Sequence, residues 1–149
     1  RNFEGNEGRV QFIFQDPSSA LNRSHTIGRI LDQVLSHHAP ELSAAGRKEK
    51  ASALLQEVGL RPSDLSKKPK DFSGGQRQRI GIARALAADP TVLICDESVS
   101  ALDVSVQAQV LNLLNGIKKN RGLSMIFISH DPDVIRYMCD RIQQLTPIS

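Results

Sequence analysis

The alternation of short apolar runs with helical patterns after Phe72 constrains the fold of this chain more than any other feature. Two of these runs, Val92–Cys95 and Met125–Ile128, have the length of buried strands. The stretch Ser105–Lys118 between them repeats apolar residues on one helical stripe. Strands that alternate with helices in this way predict an α/β fold with a mostly parallel sheet.

Further elements are expected on both sides of this unit. Residues from about Thr26 to Lys70 repeat apolar side chains at helical spacing and show no strand pattern, which predicts a small helical subdomain. The remaining expected elements are a strand over Val10–Phe14, a helix over Gln76–Ala88, a helix over Asp133–Cys139 and a weak strand candidate over Ile142–Leu145.

The length of 149 residues suits one domain. We expect this domain to have two parts. Residues 1–20 and 86–149 would form the α/β core, and residues 21–85 would form the helical subdomain.

Composition argues against several classes of protein. The longest apolar runs are far too short to span a membrane, and Arg1–Gly8 lacks the apolar segment of a secretory signal. The net charge of +3 is scattered, and one Tyr with no Trp leaves no stacking platform for nucleic acid. Cys95 and Cys139 have no metal-ligand spacing and are expected to be reduced, buried thiols.

A glycine turn precedes one of the expected helices. It consists of Ser73, Gly74, Gly75 and Gln76. Glycines let a backbone approach a ligand closely, and the N–H groups that begin a helix can bind an anion. The same residues also fit an ordinary turn in which Ser73 caps the helix.

Polar side chains follow two of the apolar runs. Asp96 and Glu97 come directly after Val92–Cys95, and His130 comes soon after Met125–Ile128. If these strands are parallel neighbours, the three side chains lie at one edge of the sheet, where α/β proteins place ligands. One carboxylate can then hold Mg²⁺ and the next can activate water. The alternatives are a solvated acidic turn and a histidine that only caps or packs.

In this order, the motifs resemble those of the ATP-binding subunits of ABC transporters. The matching segments are Phe14–Pro17 (glutamine loop), Phe72–Arg79 (signature motif), Val92–Glu97 (Walker B), Ser100–Asp103 (D-loop) and Ile128–Asp131 (histidine switch). The resemblance extends from about Arg9 to Arg141. Residues 96–114 are similar to the dipeptide/oligopeptide importers, although nickel and glutathione importers share these phrases.

The resemblance implies a partial P-loop NTPase core of the ABC type that uses ATP and Mg²⁺. Gln15 and Asp96 would support Mg²⁺. Glu97 would be the catalytic base, and His130 would contact the γ-phosphate.

The resemblance also implies partners. Ser73, Gly74, Gly75 and Gln76 would bind the γ-phosphate of ATP held by a second nucleotide-binding domain in a head-to-tail dimer, and Asp103 would communicate across it. The helical subdomain would dock on transmembrane permease subunits at the cytoplasmic face of a bacterial inner membrane. A solute-binding protein would act only through the whole transporter, and nucleic acid is not an expected partner.

The 149 residues contain no G-x-x-x-x-G-K-[ST] phosphate-binding loop, which the family has upstream of the glutamine loop. We therefore expect the chain alone to bind ATP weakly or not at all. We also expect uncovered sheet surface, through which copies could associate. Lys70-Asp71 before the signature motif and Ser98 after Glu97 are lesser departures.

Two other functions stay open. A non-transport ABC ATPase, such as a DNA-repair or translation factor, would usually carry coiled-coil insertions or long basic linkers, and this sequence has neither. A non-catalytic interaction module would fit the missing loop. The presence of Asp96, Glu97 and His130 argues against such a module.

Overall fold

A computed structural model describes residues 9–16 and 21–145 of the chain. The strands are β1 (Val10–Ile13), β2 (Val92–Asp96) and β3 (Ser124–Ile128). The helices are α1 (Ile27–His38), α2 (Ala44–Glu57), α3 (Gly74–Ala87), α4 (Val104–Arg121) and α5 (Pro132–Met138). Two short 3₁₀ helices, Pro62–Ser66 and Pro69–Asp71, lie between α2 and α3. Among the described helices, none is long and apolar enough to cross a membrane.

The strands form a parallel sheet in the order β1-β2-β3. Phe12 of β1 pairs with Ile94 of β2, which in turn pairs with Ile126 of β3. Helix α4 connects β2 to β3, because parallel neighbours need a crossover connection. The predicted α/β fold with a parallel sheet is confirmed.

The two faces of the sheet differ in burial. Leu93 and Cys95 of β2 are 0% exposed, because helices pack against their side of the sheet. On the other side, Phe12, Ile126 and Ile128 remain 51%, 53% and 46% exposed. The expected uncovered sheet surface is therefore present among the described residues. Association of copies through it stays a prediction.

Residues 26–71 form helices and no strand, as the apolar spacing predicts. Thr26 begins α1 by accepting a hydrogen bond from the N–H of Arg29, and Ile27, Leu31 and Leu35 fill the core from one face of that helix. After α2, the chain turns at Gly59, whose φ of 80° lies in the left-handed region that favours glycine.

A bidentate ion pair joins this helical region to the α/β core. Arg121 at the end of α4 donates two hydrogen bonds, of 2.6 and 2.7 Å, to the Glu57 carboxylate at the end of α2. These bonds raise the pKa of the Arg121 guanidinium. Gly122 follows in the left-handed conformation and ends α4. The pair fixes the ends of two helices that are distant in sequence.

Two expectations are wrong. Ile142–Leu145 is not a strand: Ile142 and Leu145 are 59% and 86% exposed, and no described strand pairs with this segment. A short segment forms a strand only where a neighbouring strand pairs with its backbone groups, and the local sequence does not reveal that neighbour. Cys139 is a free thiol as expected but only partly buried, because it lies just past the short helix α5; Cys95 is free and buried.

Candidate functional site

The carboxyl ends of the three parallel strands bring four predicted site residues to one side of the molecule, here called the carboxyl edge. Cys95 pairs with Ile13, so Gln15 follows β1 close to the end of β2. Asp96 is the last residue of β2 and pairs with Ile128, so Glu97 and His130 follow adjacent strands. The expectation that Glu97 and His130 share one sheet edge is confirmed.

Glu97 has a backbone conformation that is uncommon for a residue with a side chain. Its φ is 51°, and its N–H donates a 2.9 Å hydrogen bond to the carbonyl oxygen of Ile128 on β3. This bond fixes the point at which the chain leaves the sheet. Strained positive φ values at non-glycine residues occur often at functional sites. The turn holds the Glu97 carboxylate toward β3 rather than along its own strand.

The two oxygens of the Glu97 carboxylate have different surroundings. Oε1 lies 2.9 Å from Nδ1 of His130. Oε2 is buried and has no hydrogen-bond partner among the described residues. A buried carboxylate oxygen without a donor is energetically unfavourable unless water or a ligand supplies one. The site therefore holds a buried acceptor without a donor next to an exposed imidazole.

His130 connects this carboxylate to solvent. Its side chain is 82% exposed, while that of Glu97 is 25% exposed. The hydrogen bond to Glu97, and then the negative charge of that carboxylate, raise the pKa of the His130 imidazole. Because Nδ1 faces a carboxylate, it carries the proton and donates it. Nε2 is then left to accept a proton or, in the charged ring, to donate to an anion.

Gln15 and Asp96 fit the protein's share of a Mg²⁺ site. Magnesium is usually held by one or two carboxylates together with water and substrate phosphates. Asp96 offers a half-buried carboxylate, and the exposed Gln15 offers an amide oxygen at the same edge. In the described part of the chain, no cluster of three or more His, Cys, Asp or Glu side chains could hold a metal by itself. This donor set matches an ion that depends on phosphate oxygens for its remaining ligands.

The glycine turn begins α3 with reciprocal capping. Ser73 Oγ accepts from the N–H of Gln76 at 3.3 Å, and the N–H of Ser73 donates to Gln76 Oε1 at 3.0 Å. Gly75 is buried against α4, and a Cβ at this position would overlap Cγ1 of Val106. The ordinary capping role is therefore present. The N–H groups of Gly74 and Gly75 are left in the first helical turn, where no intrahelical partner exists.

Asp103 lies beside the glycine turn, in the loop that joins β2 to α4. It is exposed and precedes α4 as its N-cap residue, without a side-chain capping bond. Its neighbour Leu102 approaches Gly74, since a Cβ there would lie 3.7 Å from Leu102 Cδ2. The predicted residues thus form two groups. Among the described residues, no hydrogen bond or ion pair joins the glycine turn to Glu97 or His130.

Sequence reasoning missed Gln78, which lies on α3 and is only 1% exposed. Its Nε2 donates a 3.3 Å hydrogen bond to the carbonyl oxygen of Phe14. The signal that could have found it is a polar residue on the stripe that continues to Ile82 and Ala85, both of which are buried. Ser98, which the sequence marks only as a departure from the family, is buried with an unpartnered hydroxyl among the described residues.

Comparison with known proteins shows which proteins this chain resembles in sequence. Residues 2–100 match the family model described as ABC transporter. The chain is 53% identical over 133 residues to the oligopeptide transport ATP-binding protein OppF of Haemophilus influenzae, covering 89% of this chain and 40% of that protein. It is 51% identical to the oligopeptide transport ATP-binding protein AmiF of Streptococcus pneumoniae, covering 90% of this chain and 44% of that protein. The chain thus spans less than half the length of these relatives.

Solved structures show the same fold. The structure of cbiO1 from Clostridium perfringens, described as part of the ABC transporter complex cbiONQ, matches with a TM-score of 0.78 and 26% identity, over 89% of this chain and 51% of that one. The ATP-binding cassette MJ0796, in a dimeric post-hydrolysis structure bound to ADP and Pi, matches with a TM-score of 0.72 and 27% identity, over 87% of this chain and 56% of that one.

Proposed function

Because the chain belongs to the ABC transporter family, we propose that it forms the hydrolytic edge of an ATP-binding subunit that powers import of oligopeptides. The observation that carries the proposal is the Glu97–His130 pair at the ends of two adjacent parallel strands. The names of the relatives support the peptide importer, since they are oligopeptide transport proteins.

Glu97 is the general base in this proposal. Its carboxylate would accept a proton from a water molecule as that water attacks the γ-phosphorus of ATP and displaces ADP. Its Oε1 oxygen is held by His130, so the carboxylate keeps one orientation. His130 is exposed enough to contact the γ-phosphate through Nε2 while Nδ1 remains on Glu97.

Asp96 and Gln15 support Mg²⁺ at the same edge. A bound Mg²⁺ would supply positive charge that offsets the negative charge developing on the phosphates. Asp96 is positioned by the last ladder pair of β2, and Gln15 by the end of β1. Both side chains therefore act from strand ends that the sheet fixes.

The glycine turn acts on a different nucleotide. The N–H groups of Gly74 and Gly75 begin a helix whose positive end favours an anion, and Ser73 and Gln76 flank them. We assign this surface to the γ-phosphate of ATP held by a second nucleotide-binding domain in a head-to-tail dimer. The nearby Asp103 would contact that second domain. Within the described residues, no hydrogen bond or ion pair joins the glycine turn to Glu97, which is compatible with such a dimer.

The remaining partners follow from an importer. The helical subdomain, residues 21–85, would dock on the permease subunits, which places the protein peripherally at the cytoplasmic side of the membrane. A solute-binding protein would influence this subunit only through the permease.

Transport by the complete protein with its permease and solute-binding partners tests the function. In lipid vesicles, we expect an oligopeptide to stimulate ATP hydrolysis and to accumulate on the side where ATP is supplied. A mixture of the constituent amino acids serves as the control and should give neither effect. If Ni²⁺ or glutathione stimulates ATP hydrolysis instead, the protein belongs to an importer of that solute. Stimulation of ATP hydrolysis by DNA without a permease would refute the proposal.

A further inference from the structure

The buried Gln78 connects two motifs that lie far apart in sequence. Of the described residues, the buried polar or charged side chains are Asp64, Gln78 and Ser98. Gln78 is the least exposed of these three, at 1%. Burying an amide is unfavourable unless its polar atoms find partners. The Nε2 of Gln78 donates to the carbonyl oxygen of Phe14, at 3.3 Å and 64 residues away.

The location of Phe14 gives this hydrogen bond its importance. Phe14 lies one residue beyond the last paired residue of β1, which is Ile13, and directly precedes Gln15. The sheet ladder therefore no longer fixes the backbone at this point. Besides the stacking of its ring on Phe12, Phe14 is held by the hydrogen bond from Gln78, just before the residue assigned to Mg²⁺.

The other end of the connection is the glycine turn. Gln78 follows Gly74 and Gly75 by four and three residues on α3, so all three share one side of the helix. That side packs on Leu102 and Val106, which flank Asp103. A shift of α3 would thus move the glycine turn together with the amide that holds Phe14.

We propose that Gln78 is a positioning residue that fixes Gln15 relative to the glycine turn. The inference rests on the proposed function for its effect on catalysis, although the hydrogen bond itself is independent of that function. It requires a donor at this position, because the partner is a carbonyl oxygen. Leucine or methionine would fill the volume without donating, and an ionised glutamate would place oxygen against oxygen.

Two substitutions in the complete protein separate donation from packing. Gln78→Met should lower kcat roughly tenfold with little change in KM, since small displacements of catalytic groups can cost up to about 10²-fold. Gln78→Glu should be similarly impaired at high pH, where the buried carboxyl is ionised. As the pH falls, its activity relative to wild type should recover, because a protonated carboxyl can donate to Phe14. Gln109→Met, the same change at an exposed position on α4, is the control.

A second measurement does not depend on activity. In the 149-residue chain, Gln78→Met should accelerate amide hydrogen exchange at Gln15 and Asp16 by about tenfold, while Gln109→Met leaves it unchanged. Wild-type activity in the Met variant with unchanged exchange would overturn the inference. If the Glu and Met variants share a defect that does not change with pH, then Gln78 acts only through packing. That outcome also contradicts the inference. Absence of hydrolysis in the wild-type complete protein would refute the proposed function, and the exchange result would still decide the role of Gln78.

Discussion

At the scale of single residues, Gly75 shows why the glycine turn needs glycine for reasons of packing. A Cβ at this position would overlap Val106 Cγ1 on α4, so Gly75→Ala should lower the free energy of unfolding by about 1–3 kcal/mol. Val106→Ala should recover much of that loss in the double variant, because it removes the overlapping methyl group. Denaturant unfolding measures both.

Gly116 provides a matched control for that substitution. It lies inside α4, where an added Cβ would meet no atom within 4 Å beyond the backbone of its own helix. Gly116→Ala should therefore raise stability by up to about 1 kcal/mol, since alanine favours the helix more than glycine does. Equal destabilisation at Gly75 and Gly116 would contradict the packing explanation.

The pairing of His130 with Glu97 predicts that the stability of the folded chain depends on pH. Its pKa is raised above the ordinary 6.5 by the hydrogen bond to Glu97, so the folded state binds this proton more tightly than the unfolded chain. The contribution of the pair to stability is full below pH 6.5 and is lost as pH rises through the folded-state pKa. An NMR titration should place the His130 midpoint above 6.5.

Glu97→Gln should move that midpoint back toward the ordinary value, because the charged partner is gone. Glu49→Gln, which changes an exposed carboxylate on α2, should leave it in place. A His130 midpoint that ignores Glu97→Gln would refute the pairing.

At the scale of elements, the contact between α2 and α4 depends on Arg121 and Glu57. Their side chains are 26% and 30% exposed, and the bidentate geometry is stronger than that of a single ion pair. Glu57→Gln should therefore lower the free energy of unfolding by about 1 kcal/mol. Asp140→Asn should change it by less than about 0.5 kcal/mol, since Asp140 is 93% exposed and 3.5 Å from Lys118. Thermal unfolding compares the two variants. Equal losses of stability would contradict the role of the Arg121–Glu57 pair.

The helices and strands also show which parts of the fold and of the candidate site could be predicted from the sequence. Apolar spacing predicts β2, α4 and β3 to within a few residues, because each buries one face against the same core. Strand order then places Glu97 beside His130, since both follow parallel neighbours. The hydrogen bond from Gln78 to Phe14 was not predictable, because it joins residues whose distance depends on tertiary packing.

At the scale of the whole molecule, the proposed hydrolytic residues belong to a sequence of 149 residues that contains no G-x-x-x-x-G-K-[ST] motif. We expect the chain alone to bind Mg-ATP with a Kd well above the micromolar range, because nothing in its sequence matches the loop that holds the β- and γ-phosphates. Calorimetric titration of the 149-residue chain measures this. Micromolar affinity would show that another part of the chain holds the nucleotide.

The central claim is that Glu97 activates the attacking water. Its most direct test is single-turnover ATP hydrolysis by the complete protein carrying Glu97→Gln, with ATP binding measured in parallel. Positioned base catalysis contributes roughly 10²–10⁴-fold, so we predict a loss of hydrolysis in that range with nearly unchanged affinity, while Glu49→Gln behaves as wild type. Turnover within a few-fold of wild type in Glu97→Gln would contradict this role.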